Sequence, residues 1–287
     1  MKSLHKKALS AAAVALLSGV AMQSAYAADE PAAEAPEPSP VTANVTVIND
    51  YRYRGITQSN YQPAIQGGFD YAHESGLYIG NWNSSISWIG DQNSTAGGTA
   101  SNNVSSNIEM DFYAGFKKEL IAPGFASDFG VLQYYYPTKG FNSTFMQNPN
   151  STEIYAAQNF TFGPVTGFVK LSYAVTTLFG VPNSAGSMYP DLTLNYDTGI
   201  WGLTANGHIG YQYIAGQPNT TSGYLTTPNN ISYTDWKLGM TKDFGGGLAA
   251  QVSYISTNAN PGWYTTGGNQ STWSGRGGVN FSVTKVF

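Results

Sequence analysis

The chain has no cysteine, so neither disulfides nor thiolate metal sites hold it together. Charge is scarce as well: Asp, Glu, Lys and Arg make up only 10% of the 287 residues. Three of the 13 basic residues, Lys2, Lys6 and Lys7, stand at the start, leaving 10 against 17 acidic residues in the remainder. That balance lacks the basic footprint of a nucleic-acid binder. After the first residues no run approaches the ~20 apolar residues of a spanning helix. In their place are 33 glycines, 20 tyrosines and abundant Asn, Ser and Thr, a composition of short strands and polar loops.

Residues 1–27 read as a removable signal peptide. Lys2, Lys6 and Lys7 form its positive end, Ala8 to about Met22 its apolar run, and Ala25-Tyr26-Ala27 its cleavage site. Residues 28–42, ADEPAAEAPEPSPVT, hold four prolines and no basic residue, which predicts a disordered linker.

Residues 43–287 alternate. At the C-terminus Val279, Phe281 and Val283 interleave with Asn280, Ser282 and Thr284, and the chain stops on Phe287. Period two marks a strand with one apolar and one polar face. A strand that runs to the last residue suits a sheet that closes on its first strand. Counting alternation and turn signals predicts twelve strands. The first is expected from about Ala43 to Thr57, with Val45, Val47, Tyr51 and Tyr53 on its apolar face and Arg52 and Arg54 on its polar face. The third is expected from Leu77 to Trp88, with Tyr78, Trp82, Ile86 and Trp88 apolar. The last is expected from about Ser271, carrying Arg276 on its polar face. Connections alternate short and long, apart from a brief first loop.

This pattern predicts an all-β fold: a closed antiparallel transmembrane β-barrel with short periplasmic turns and long extracellular loops. In lipid every backbone polar group must be paired internally, so a sheet spans only by closing. The in-strand charges Arg52, Arg54, Asp70, Glu109, Asp111, Lys170, Asp235, Lys237 and Arg276 fall on the polar face, which makes them candidate pore-lining residues. On the lipid face a Lys or Arg would cost roughly 2–4 kcal/mol at mid-membrane. Trp82, Trp88, Tyr136, Trp201 and Tyr213 are expected to form interfacial aromatic girdles. Arg52, Arg54 and Arg276 would make one basic wall, facing an acidic wall of Asp70, Glu109 and Asp111. Such opposed charge filters permeating solutes, whereas lumenal ion pairs that merely fill the interior would leave the barrel closed.

The segments Asp50-Tyr-Arg-Tyr-Arg-Gly-Ile-Thr-Gln58, Pro63-Ala-Ile-Gln-Gly-Gly-Phe-Asp-Tyr71, Gly80-Asn-Trp82, Ile108-Glu-Met-Asp-Phe-Tyr-Ala-Gly115 and Asp128-Phe-Gly-Val-Leu-Gln-Tyr-Tyr-Tyr-Pro137 resemble the TorF porin family, also known by its Gcw_chp domain. Val283-Thr-Lys-Val-Phe287 resembles its ending. The resemblance implies an outer-membrane barrel acting as a channel, with no established substrate.

Phe281, Val283 and Phe287 also resemble the C-terminal signal read by the barrel-assembly machinery. The expected partners are therefore that machinery, outer-membrane lipid and lipopolysaccharide, and small hydrophilic solutes, in the outer membrane of a bacterial cell. No cofactor, metal or catalytic residue is expected. Only His73 and His208 remain after the leader; the first is expected in a turn and the second in the lumen, away from where a lipid hydrolase would work. The alternative function is a closed structural or adhesin-like barrel without conductance.

Overall fold

Alternating residues place one face of each strand in a polar environment and the other in an apolar one, and closure then removes every free sheet edge. The computed structural model describes residues 39–93, 104–139, 148–216, 231–266 and 272–287. The expected signal peptide and most of the expected linker lie outside them.

Twelve strands form the barrel: β1 Val41–Ile48, β2 Ala64–Ala72, β3 Leu77–Ser85, β4 Ile108–Ala122, β5 Phe125–Tyr135, β6 Ser151–Phe162, β7 Val165–Ala174, β8 Met188–Asp197, β9 Leu203–Gln212, β10 Tyr233–Asp243, β11 Leu248–Thr257 and β12 Gly278–Val286. Each pairs antiparallel with its sequence neighbours, and β12 pairs back onto β1. At the seam Thr46 opposes Thr284 with their hydroxyls 2.8 Å apart. Phe287 takes part to the end: its N–H donates to the Ala43 carbonyl at 2.8 Å, and the Ala43 N–H donates back at 3.3 Å.

Outward positions are apolar and exposed, as at Ile65, Phe112, Val169, Leu238 and Phe281. Inward positions on β7 to β10 are mostly polar: Thr166, Lys170 and Ser172, then Asp191, Thr193 and Asn195, then Asn206, His208 and Gln212, then Asp235 and Lys237, with Phe168, Tyr189 and Tyr233 among them. The strands turn tightly at 73–76, 123–124, 163–164, 198–202 and 244–247, all at the end that carries β1's start and β12's finish. The other end carries the longer connections 49–63, 86–107, 136–150, 175–187, 213–232 and 258–277.

Two strands depart from the expected alternation. The first ends at Ile48, so Arg52 and Arg54 are not on a barrel strand and the first loop is not brief. Residues 49–63 turn into the barrel, which buries Tyr51. In β3 the faces are inverted. Leu77 and Ile79 point out, while Tyr78 and Trp82 are buried inside. The outward Asn81 and Asn83 donate side-chain hydrogen bonds to the carbonyls of Asp111 (3.0 Å) and Gly67 (3.3 Å), which lets amides face out. Arg276 sits exposed in the turn before β12, not on the strand. Trp82, Trp88 and Tyr136 are buried and join no girdle; Trp201 and Tyr213 are exposed, as a girdle needs.

The interior is filled unevenly. Tyr51, Tyr78, Trp82, Trp88, Tyr113 and Tyr134 form the bulk of one aromatic core inside the barrel along β2 to β5. The short helix α1, Trp88–Asn93, packs its Trp88 edge-on against Tyr136 above it. Inward glycines make room on this side. A Cβ on Gly115 would lie 2.3 Å from the Tyr78 hydroxyl, and one on Gly130 would lie 2.4 Å from the Tyr155 hydroxyl. Tyrosines therefore lie flat against the wall over residues that have no side chain. Among the described residues the β7 to β12 side has no such aromatic core, only a smaller apolar cluster of Ala174, Leu178, Ile214 and Ile231.

Candidate functional site

The site is the lumen, and its organising element is the inturned hairpin. Arg52–Tyr53 pairs with Ile56–Thr57 across the two-residue turn Arg54-Gly55. Both turn residues have positive φ, 45° and 77°, as the tightest hairpin turns require. The base of the hairpin is tied by Asp50, whose carboxylate accepts from Thr57 Oγ1 at 2.5 Å and from Arg52 Nε at 2.7 Å. Its backbone carbonyl accepts from Asn280 Nδ2 at 2.6 Å, which fastens the loop to β12.

The tip crosses the barrel. Arg54 Nη2 donates to Glu153 Oε2 on β6 at 2.7 Å, and Nη1 donates to Gln212 Oε1 on β9 at 2.5 Å. Its guanidinium also stacks over Tyr53 and Tyr189. Tyr134 donates to the same Glu153 oxygen at 3.0 Å and hydrogen-bonds Tyr53. Gly55 abuts the wall: a Cβ there would fall 2.3 Å from Thr257 Cγ2 and 2.7 Å from Asp235 Cβ. A buried guanidinium with carboxylate, amide and ring partners is well satisfied, so the crossbar is firmly seated.

The expected acidic wall exists, but it is covered by tyrosines. Asp70 on β2 accepts from Tyr113 at 2.5 Å, and Glu109 on β4 accepts from Tyr51 at 2.6 Å and Tyr136 at 2.8 Å. Asp111, two residues further along the same strand and on the same face, is also buried. Asp128 on β5, outside the expected lumenal set, accepts from Tyr78 at 2.7 Å. The expected basic wall does not form. Arg52 holds its own loop, Arg54 reaches to Glu153, and Arg276 stacks over Tyr61 in the outer turn.

The remaining charged residues converge on β7 to β10. His208 bridges two carboxylates, with Nδ1 3.0 Å from Asp191 Oδ1 and Nε2 2.9 Å from Asp235 Oδ1. Tyr189 donates to the other Asp235 oxygen at 2.9 Å, and Thr193 donates to Asp191 at 3.1 Å. Lys170 and Lys237 stand on either side, opposite Asp191 and His208 in register. A cavity of about 160 Å³ lies among these residues and the hairpin tip. Glu153 and Asp191 were absent from the expected lumenal set; their alternation within β6 and β8 was the signal that places them inward. Phe281 and Val283 lie on the outer face of β12, and Phe287 is exposed at its end. Among the described residues no group of three His, Asp or Glu could hold a metal ion.

A sequence profile described as "Bacterial protein of unknown function (Gcw_chp)" matches residues 32–287. No curated protein matches the chain. Among solved structures it is similar to the NanC porin, at 9% identity and a TM-score of 0.51, with 85% of this chain and 98% of that one covered. It is also similar to the KdgM porin, at 5% identity and a TM-score of 0.47, with 86% and 97% covered. At such identities the likeness to NanC speaks for the fold alone.

Proposed function

Since the chain belongs to the Gcw_chp family of bacterial proteins of unknown function, its activity has to be read from its own barrel, and we propose that it is an outer-membrane channel passing small hydrophilic solutes by diffusion. One observation carries this reading. A closed sheet presents exposed apolar residues outward while its β7 to β12 wall presents polar residues to an interior without an aromatic core. Such a sheet belongs in lipid, where its backbone is fully paired and its outer face desolvated without penalty.

In this reading the passage runs along β7 to β12, because the aromatic core fills the other half. Lys170, Asp235 and Lys237 line it, and the hairpin narrows it. Twelve strands fall between the eight of a filled barrel and the 16–18 of a wide porin, which suits a narrow bore. Residues 1–27 act as the cleaved export signal, and Phe281, Val283 and Phe287 as the mark read during assembly. The TorF resemblance of the first strands agrees with a channel.

The closed-barrel reading draws on the Arg54–Glu153 crossbar, which would block the bore if it never moved. Conductance of the refolded mature chain in a planar bilayer separates the two. Discrete reproducible steps support the channel; silence from folded, inserted protein supports the closed barrel.

A further inference from the structure

We propose that the lumenal cavity binds a small organic anion, a carboxylate carried on a single ring, and that the ammonium of Lys170 is its anchor. This rests on the channel reading above and names the class of solute that pauses within it.

The first ground is charge. Arg52, Arg54, Lys170 and Lys237 line the cavity, against only Asp191 and Asp235. The carboxylates that neutralise the two arginines, Asp50 and Glu153, stand outside the lining. Those two ion pairs cancel, so among the lining cations Lys170 is left with no carboxylate in ion-pair contact. Set between low-dielectric walls, an ammonium without a close carboxylate attracts an anion.

The second ground is pairing. Both lining carboxylates are already engaged, Asp191 by His208 and Thr193, Asp235 by His208 and Tyr189. Lys170 faces Asp191 in register, yet Asp191 turns to His208. Among the described residues no carboxylate lies within ion-pair distance of the Lys170 ammonium. The Phe168 ring lies 5.6 Å from its Nζ, measured to the centroid. A lysine inside a protein is ordinarily paired; here the open partner position is the cavity.

The third ground is shape. Tyr155 and Phe168 offer rings, and Ser172 offers a hydroxyl. A volume of about 160 Å³ is close to that of a cavity known to hold one benzene. It accommodates one ring with a carboxylate at its edge. Inorganic anions would use the ammonium but leave the ring faces idle.

Benzoate is the probe, acting on chloride current through the mature chain in a planar bilayer. The account expects concentration-dependent interruption of the chloride current by benzoate. Lys170→Gln weakens that block on the order of tenfold, the loss of one charge-assisted hydrogen bond, while Lys170→Arg retains it. A conducting wild type that benzoate does not block, or equal block of wild type and Lys170→Gln, overturns the proposal and leaves the channel standing. Silence from folded, inserted wild type overturns both.

Discussion

Arg54 and Glu153 meet inside the barrel, guanidinium Nη2 to carboxylate Oε2 at 2.7 Å, although 99 residues separate them in sequence. Both side chains are nearly fully buried. Removing one partner of such a pair leaves the other charge stranded, at about 3–5 kcal/mol. Glu153→Gln is therefore expected to unseat the hairpin and raise single-channel conductance. The Arg54→Ala, Glu153→Ala double variant should be no less stable than either single one, because it strands no charge. Urea titration in detergent checks the second point.

Gly55 offers a steric route to the same end. Its φ of 77° and its contact with Thr257 and Asp235 leave no room for a side chain. Gly55→Val should push the tip off the far wall and increase conductance while the barrel still folds, as judged by gel mobility before and after heating. A larger side chain with unchanged conductance would mean that the tip does not bound the passage.

The glycines under the tyrosines make a prediction about stability alone. Gly115→Leu must displace Tyr78 or the Phe129 carbonyl, which lies 2.5 Å from the new Cβ. Overpacking of this kind costs about 1–3 kcal/mol. Gly207→Ala is the control, since its new Cβ meets only Leu238 Cδ2 at 3.9 Å. Denaturation midpoints should fall for the first variant and stay put for the second.

Strands β7, β9, β10 and β12 were legible because their inward faces are mostly polar and their outward faces apolar. There the alternation of Val169, Leu171 and Tyr173 with Lys170 and Ser172 admits one reading. β3 was not legible, because both of its faces carry apolar residues: Leu77 and Ile79 point outward, Tyr78 and Trp82 meet the inner core. Period two cannot choose between two apolar faces. The first strand misled for a related reason. Tyr51 and Tyr53 continue the alternation of Val45 and Val47 beyond Ile48, where the chain has already turned inward. The only local cue was Gly55, which can take the positive φ of a tight turn, and Arg54 before it is not a residue that marks one. Which carboxylate receives Arg54 was beyond reach, because that contact depends on closure of the whole barrel.

The outer face carries its own test. Leu238 is 70% exposed, midway along β10, where the barrel reading places lipid. Leu238→Arg should lower the folding free energy in vesicles by roughly 2–4 kcal/mol. Equal stability of variant and wild type would argue that water, not hydrocarbon, bathes this face.

Single-channel recording of residues 28–287 and of its Glu153→Gln variant, refolded and inserted in a planar bilayer, tests the central claim most directly. Small discrete steps from the wild type and larger ones from the variant are the predicted result. A silent wild type, shown to be folded and inserted, would contradict it.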